Sequence, residues 1–180
     1  MNNYQWTLAE ILKTGPVVVD TCALIGSLNK EYSEGDPLEI FFPFLFPENK
    51  GVYTCSKVVG EYLSIQDEDE KRRRVEFINR FTSVGGILTF SGKKNHLYCR
   101  YYQQIRESGK ERGIHQTDLD LLASASVLSE GNEIVSILSK DFPLIQTWSD
   151  ACNKGIINSE NVRFYIRQFR NAFRGAFVKR

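Results

Sequence analysis

The chain has 180 residues, of which 42% are hydrophobic and 25% are charged, so it has the length of one domain and enough apolar material for one packed core. Its 23 Lys and Arg residues nearly balance 22 Asp and Glu residues. The resulting net charge of +1 excludes a disordered chain, a histone-like polycation and an acidic tail protein. No apolar run approaches the roughly 18 residues that a spanning helix needs, so we expect no membrane segment.

Strand and helix signals alternate along the chain. Apolar residues at helical spacing predict a helix within residues 1–15, which the Gly15-Pro16 pair ends. Short, mostly β-branched runs predict five strands, at 16–20, 51–55, 86–90, 133–138 and 162–166. Helical patterns occupy the intervals, at 56–63, 93–107 and 118–129, after Phe142 and over the C-terminal residues 163–180.

This alternation predicts one α/β domain over residues 1–180, built on a parallel sheet with helices on both faces. We expect Ser56 and Thr117 to cap the helices that follow them. The stretch 33–50 contains one glycine and three prolines, and we interpret it as an elaborated crossover. The run Asp67–Arg74 places acids four residues before bases, which favours a self-paired, solvated helix face over a nucleic-acid patch.

The four cysteines occur singly, at Cys22, Cys55, Cys99 and Cys152. This spacing differs from that of zinc sites and disulfide frameworks, and it favours free, buried thiols in a reducing compartment. The N-terminal segment carries Glu10 inside its apolar pattern and lacks a basic start, so we expect no signal peptide. A cytoplasmic location is the expectation.

Four carboxylates lie near the predicted carboxyl ends of strands. Asp20 and Asp141 follow strands, Asp118 opens a helix, and Glu61 lies in the helix after the second strand. Singly, each is compatible with an ordinary cap, turn or solvated position. Ligands of open parallel sheets bind beyond the strand ends, so we expect the four to meet in one cleft. Crowded carboxylates favour a bound cation, and oxygen-only ligands suit Mg²⁺ or Mn²⁺ better than zinc.

The segments that carry these acids resemble the four motifs of PIN-domain nucleases, in that family's order. They read VVVDTCALI at 17–25, SKVVGE at 56–61, TDLDLLASA at 117–125 and ILSKDF at 137–142. The first, third and fourth are the more specific motifs. The resemblance implies a three-layer α/β/α domain with a central, mainly parallel sheet of four to five strands.

By position, the resemblance assigns metal binding and catalysis to Asp20, Glu61, Asp118 and Asp141, with supporting hydroxyls at Thr21 and Ser139. The implied reaction is hydrolysis of phosphodiester bonds assisted by Mg²⁺ or Mn²⁺, and we expect an endoribonuclease. Both the toxin of a toxin–antitoxin pair and an RNA-processing enzyme stay open, as do an antitoxin or other protein partner and a homo-oligomer. The alternative is a catalytically silent PIN-like module that binds RNA or protein.

Two neighbours of these acids are ambiguous. Asp120 lies two residues after Asp118 on the same predicted helix, so it faces elsewhere and is not the expected ligand. His115 lies three residues before Asp118, where we expect a loop or capping role.

Basic residues are concentrated at the C-terminus. Residues 1–162 hold 17 basic and all 22 acidic residues, whereas 163–180 hold six basic residues. On a helix, an aromatic stripe would lie beside one arginine face, formed by Arg163, Arg167, Arg170 and Arg174. Such a face suits phosphate contacts, so we expect it to bind nucleic acid. The alternatives are that these cations favour the helix dipole and solubility, or that they serve a membrane-surface or partner-protein role.

Overall fold

Seven strands form one sheet in the computed structural model, which describes residues 6–28, 51–84, 86–109, 113–131, 133–169, 172–176 and 178. The strands are β1 (Trp6–Thr7), β2 (Val17–Val19), β3 (Val52–Cys55), β4 (Gly86–Leu88), β5 (Val135–Ser139), β6 (Val162–Phe169) and β7 (Ala172–Ala176). Their order across the sheet is β1-β7-β6-β5-β2-β3-β4. The predicted crossover at 33–50 lies outside the described residues.

Helices flank this sheet. Those described are α1 (Leu8–Thr14), α2 (Thr21–Leu28), α3 (Ser56–Leu63), α4 (Glu68–Val84), α5 (Gly92–Ser108), α6 (Gln116–Leu128) and α7 (Phe142–Asn153). None of them is both long and apolar enough to cross a membrane. The α/β class with a central sheet between helices is confirmed.

Five neighbouring strands make up the parallel part of the sheet. β4, β3, β2, β5 and β6 are joined by parallel pairs, and they correspond to the five predicted strands. β7 and β1 add two antiparallel strands at one edge, which makes the sheet larger than predicted. All three residues of β2 are fully buried, as expected for a β-branched strand in the middle of a parallel sheet.

The N-terminal helix is shorter than predicted and begins with a side-chain cap. Within the predicted span 1–15, α1 covers Leu8–Thr14, and Trp6–Thr7 form β1 instead. Thr7 accepts the Glu10 backbone N–H, while the Glu10 carboxylate accepts the Thr7 backbone N–H. This reciprocal pair satisfies two amide groups that a helix start leaves open, and it fixes where α1 begins.

The predicted helix over 163–180 is wrong. The described part of this segment forms β6 and β7, an antiparallel pair in which Ile166 is opposite Arg174 and Arg167 is opposite Phe173. β6 also pairs in parallel with all five residues of β5. The apolar spacing of this segment satisfies a helix, but the open edge of β5 offers backbone hydrogen bonds and a buried face, and this tertiary context determines the outcome.

The charged segment forms a self-paired face on α4. Its ion pairs are Lys71–Glu68, Arg72–Asp69 and Arg73–Glu70 at a spacing of three residues, and Arg74–Glu70 at a spacing of four. Asp67 precedes the helix and accepts the Glu70 backbone N–H at 2.8 Å, so it caps α4. The predicted self-paired face is confirmed, but only Arg74–Glu70 has the predicted spacing of four residues.

Candidate functional site

The strand order reverses between β2 and β5. The chain passes from β2 to β3 and β4 on one side, and then returns to place β5 on the other side of β2. A crevice opens at such a point, beyond the carboxyl ends of the strands, and open α/β sheets bind ligands there. Asp20 directly follows β2, and Lys140 and Asp141 directly follow β5.

A cleft of about 700 Å³ lies at this point. The structure brings all four predicted carboxylates to its wall: Asp20, Glu61, Asp118 and Asp141. Four separate segments of the chain supply them, and Thr21 lines the cleft beside Asp20. The cleft therefore collects negative charge from elements that are distant in sequence.

Asp20 is the most firmly held of the four acids. Its Oδ1 accepts the backbone N–H of Thr21 at 2.6 Å, and its Oδ2 accepts the Ser139 hydroxyl at 2.7 Å. The Cys22 thiol donates to the same Oδ2 at 3.2 Å. The side chain is buried, so these bonds fix the direction in which its carboxylate faces the cleft.

Two side chains connect the loop after β2 to the loop after β5. The Ser139 oxygen accepts the Asp141 backbone N–H at 2.9 Å, and the Cys22 sulfur accepts the Lys140 backbone N–H at 3.0 Å. Burial, followed by the nearby Asp20 charge, raises the pKa of Cys22 to about 12, so this residue stays a neutral thiol. Sequence reasoning identified Ser139 but missed Cys22, because a single cysteine carries no motif.

Asp118 and Asp141 experience the negative charge of the cleft most strongly. Burial, followed by repulsion from Asp141 and Asp20, raises the pKa of Asp118 to about 7, and Glu61 adds to this effect. Burial, followed by repulsion from Asp20 and Glu61, also raises the pKa of Asp141. The interaction with His115 lowers both pKa values. The cleft therefore favours a proton or another cation.

The donor set fits a hard divalent cation that keeps part of its water. Within the described residues, no group of three or more His, Cys, Asp or Glu side chains forms a ready cage for one ion. Mg²⁺ usually retains several waters and uses only one or two carboxylates, and the cleft offers both carboxylates and space. The buried Thr21 hydroxyl also has no hydrogen-bond partner among the described residues, which leaves a polar atom available beside Asp20.

His115 and Lys140 bring basic side chains to the same cleft. His115 takes the N-cap position of α6, as expected, but its side chain makes no capping hydrogen bond there. Lys140 was not predicted as a site residue, although it directly precedes Asp141. Both groups stand where they can offset the charge of the acids or contact an anionic ligand.

Asp120 faces away from the cleft, as expected. Its Oδ1 accepts the Tyr98 hydroxyl at 2.7 Å, and its Oδ2 accepts the backbone N–H of Lys57 at 3.3 Å. α3 lacks a side-chain cap of its own, so Asp120 provides one from α6. Since Glu61 lies one turn further along α3, Asp120 helps to place Glu61 relative to Asp118.

The C-terminal arginines do not form the predicted single face. Arg163 is opposite Ser136, and its Nε donates to the carbonyl of Glu160 at 3.3 Å. Arg174 is exposed and lies opposite Ile166. Ile166 lies three residues after Arg163 on β6, so their side chains point to opposite faces of the sheet. Arg174 shares the face of Ile166, its partner across the strand pair, and therefore lies on the face opposite Arg163.

The other two predicted arginines are less informative. Arg167 lies in β6, but its side chain falls outside the described residues, as does the whole of Arg170. Neither Arg163 nor Arg174 lines the acidic cleft.

Two solved structures are similar to this chain. The crystal structure of FitAcB from Neisseria gonorrhoeae has a TM-score of 0.50 and 18% identity, over 73% of this chain and 91% of that chain. The crystal structure of VapBC2 from Rickettsia felis bound to a DNA fragment from their promoter has a TM-score of 0.52 and 16% identity, over 83% of this chain and 98% of that chain. No protein-family model and no curated protein matches the sequence. These likenesses concern the fold, and the chain has the PIN-like α/β fold that its motifs resemble.

Proposed function

We propose that this protein is a metal-dependent nuclease that hydrolyses phosphodiester bonds, acting as an endoribonuclease. The observation that carries the proposal is the meeting of Asp20, Glu61, Asp118 and Asp141 in one cleft at the reversal of strand order. Burial, followed by repulsion from Asp141 and Asp20, raises the pKa of Asp118 to about 7, so the ionised form of this acid is unfavourable in the metal-free cleft. A cleft that holds several carboxylates close together is a candidate for binding a cation and catalysing a reaction.

The four acids would hold Mg²⁺ or Mn²⁺, with Thr21 and Ser139 in supporting roles. Such an ion supplies Lewis-acid stabilisation of a phosphate and makes a bound water more acidic. Ser139 and Cys22 hold Asp20 in a fixed direction through the contacts at its Oδ2. Asp118 and Asp141 become better ligands as they lose their protons, since only the ionised carboxylate binds well.

Cleavage in this cleft does not use a cysteine nucleophile. Cys22 lines the cleft, but its pKa of about 12 keeps it protonated at neutral pH, and a thiol is a poor nucleophile. Its hydrogen bonds to Asp20 and Lys140 give it a structural task instead. The reaction is therefore assigned to water, with the carboxylates holding the activating cation.

The protein partner is proposed from the similar structures. These are the toxin–antitoxin complexes FitAcB and VapBC2, and the second is bound to DNA from its promoter. By this likeness, we propose an antitoxin-type partner and a toxin role for this chain, with RNA processing as the other biological setting. The basic segment 163–180 stays a predicted contact for RNA phosphates. Its described part lies in the β6–β7 strand pair and not in the predicted helix.

A catalytically silent PIN-like module is the second candidate. The observation that favours it is that the described acids do not form a ready cage of three ligands. The two candidates differ in one experiment, in which labelled single-stranded RNA is incubated with the protein in Mg²⁺, in Mn²⁺ and in EDTA. The nuclease proposal expects cleavage that EDTA abolishes and added metal restores, with single-stranded DNA of the same sequence as the comparison. Binding without cleavage in all three conditions would support the silent module.

A further inference from the structure

Two neighbouring cavities extend from the acidic cleft along α5. The cleft shares Gly113 and Ile114 with a neighbouring cavity of about 300 Å³. That cavity shares Tyr102 and Arg106 with a further cavity of about 630 Å³, which Lys57 and Tyr98 also line. We call these two cavities the α5 groove.

Three aromatic rings pack in a row, and two of them, Tyr98 and Tyr102, line this groove. The ring centroids of Phe90 and Tyr98 lie 5.8 Å apart at an interplanar angle of 28°, and those of Tyr98 and Tyr102 lie 5.9 Å apart at 40°. The Tyr98 hydroxyl donates a hydrogen bond to the Asp120 carboxylate, which holds the Tyr98 ring in place. Tyr102 is half-buried and lines both cavities of the groove, which places part of its ring within reach of a ligand.

Basic groups accompany the rings. The Lys57 ammonium lies 5.2 Å from the centroid of the Tyr102 ring, and it donates to the Tyr102 hydroxyl and to Gln116 Oε1, both at 3.3 Å. Arg106 is exposed and takes no part in the ion pairs formed among the described residues. The Glu107 carboxylate in the groove accepts a hydrogen bond from the Gln103 side chain at 3.1 Å. Lys57 and Arg106 therefore make the groove more positive than the acidic cleft beside it.

We propose that the α5 groove binds the nucleotides that flank the scissile bond in single-stranded RNA. Tyr102 would stack on a base, while Lys57 and Arg106 would contact phosphates, the combination by which proteins hold single strands without reading sequence. The nine residues from Tyr98 to Arg106 span about 12 Å of helix, enough for about three nucleotides at a spacing of roughly 3.4 Å. This inference rests on the proposed nuclease function, and it explains how an acidic cleft retains a polyanion.

The test compares Tyr102→Leu with Tyr102→Phe in an Asp118→Asn background, where RNA binds without being cut. Fluorescence anisotropy with labelled single-stranded RNA of about 16 and about 4 nucleotides gives the dissociation constants. Tyr102→Leu should weaken binding of the longer RNA by about five- to 150-fold, the range for loss of one stacked base. Tyr102→Phe keeps the ring and should bind within about twofold of the parent. The short RNA should be affected less than the long one.

Two matched controls lie on the same helix outside the groove. Tyr101→Leu removes a ring that contacts Glu130 on another side of α5, and Lys94→Gln removes an exposed charge to match Arg106→Gln. The proposal would be overturned if Tyr101→Leu lost as much affinity for the long RNA as Tyr102→Leu. It would also be overturned if affinity for the long RNA were unchanged both in Tyr102→Leu and in a Lys57→Gln/Arg106→Gln double variant.

Failure of the groove and failure of the nuclease proposal give different results. A wild-type protein that cleaves RNA while the groove variants bind normally contradicts the groove alone. RNA binding that depends on Tyr102 without cleavage by the wild type contradicts the nuclease function and retains the groove. Loss of self-association in Tyr102→Leu with normal RNA affinity, measured by analytical ultracentrifugation, would instead assign the groove to a second copy of the chain.

Discussion

The Ser139 hydroxyl donates to Oδ2 of Asp20 at 2.7 Å, joining two residues that lie 119 positions apart in the chain. The same Ser139 oxygen accepts the backbone N–H of Asp141 at 2.9 Å. One small side chain therefore connects the acid that follows β2 to the loop that follows β5. The relative placement of Asp20 and Asp141 depends on this connection.

Replacing this serine should damage both stability and activity. Ser139→Ala leaves a buried carboxylate with one donor fewer and removes the acceptor of the Asp141 N–H, so the free energy of unfolding should fall by about 1–3 kcal/mol. Cleavage should fall as well, because Asp20 loses its fixed direction. The matched control is Ser136→Ala on the same strand, whose buried hydroxyl has no partner among the described residues. Urea unfolding should show no loss of stability for Ser136→Ala, and equal losses in both variants would contradict this account.

Two isosteric substitutions on α6 should have opposite effects on stability. Asp118→Asn removes a charge that burial and the neighbouring acids disfavour, so in metal-free buffer at pH 8 it should raise the free energy of unfolding by about 1–2 kcal/mol. Asp120→Asn replaces one of two oxygens that accept hydrogen bonds from Tyr98 and Lys57, so it should lower that free energy by about 1–3 kcal/mol. Denaturant unfolding of both variants checks the pair. The same sign in both would contradict the different environments described for the two acids.

The stability of the metal-free protein should depend on pH in a defined direction. In the folded protein the pKa of Asp118 is about 7, above the ordinary value of 3.8 that applies when unfolded. Between these values the folded state holds a proton that the unfolded state has lost, so the free energy of unfolding should fall as pH rises through this interval. The raised pKa of Asp141 acts in the same direction. Asp118→Asn should flatten the profile, and a wild-type profile that rises from about pH 4 to pH 7 would be the contrary result.

Divalent metal should stabilise the folded protein. An ion at about 100 times its dissociation constant adds about 2.7 kcal/mol when it binds the folded state alone, which corresponds to a rise in Tm of about 5–10 °C for a chain of this size. Differential scanning fluorimetry with Mg²⁺, Mn²⁺ and EDTA measures this rise. An Asp20→Asn/Asp118→Asn double variant should show no rise, while Asp120→Asn should keep it. A wild-type Tm that does not change when Mg²⁺ or Mn²⁺ is added would favour the silent module.

The parallel part of the sheet could be predicted because its strands are short, buried and β-branched. β2 is the clearest case, with three consecutive valines that are fully buried. The edge strands could not be predicted in this way. β1 has only two residues and no periodicity, and the apolar residues around Phe173 repeat at a spacing that also fits a helix. In both places the partner strand, not the local sequence, determines the structure.

The meeting of Asp20, Asp118 and Asp141 in one cleft could be predicted because these acids follow strands or lie in the first turn of a helix, but the contacts that hold them could not. Cys22 has no motif, and its role depends on Ser139 and Lys140, which lie far away in sequence. The predicted caps Ser56 and Thr117 lie inside their helices, which start after Cys55 and His115. Distant contacts of this kind, including the one between Asp120 and α3, are decided by packing.

The most direct test of the central claim is a cleavage assay on single-stranded RNA with four single variants in saturating Mg²⁺ or Mn²⁺. Asp20→Asn, Asp118→Asn and Asp141→Asn should each lose cleavage while their circular-dichroism spectra stay native. Asp120→Asn is the matched control, with the same chemical change two residues from Asp118, and it should keep cleavage well above that of the other three. Wild-type cleavage in Asp141→Asn, or equal loss in Asp120→Asn and Asp118→Asn, would contradict the claim that these carboxylates form a metal-dependent nuclease site.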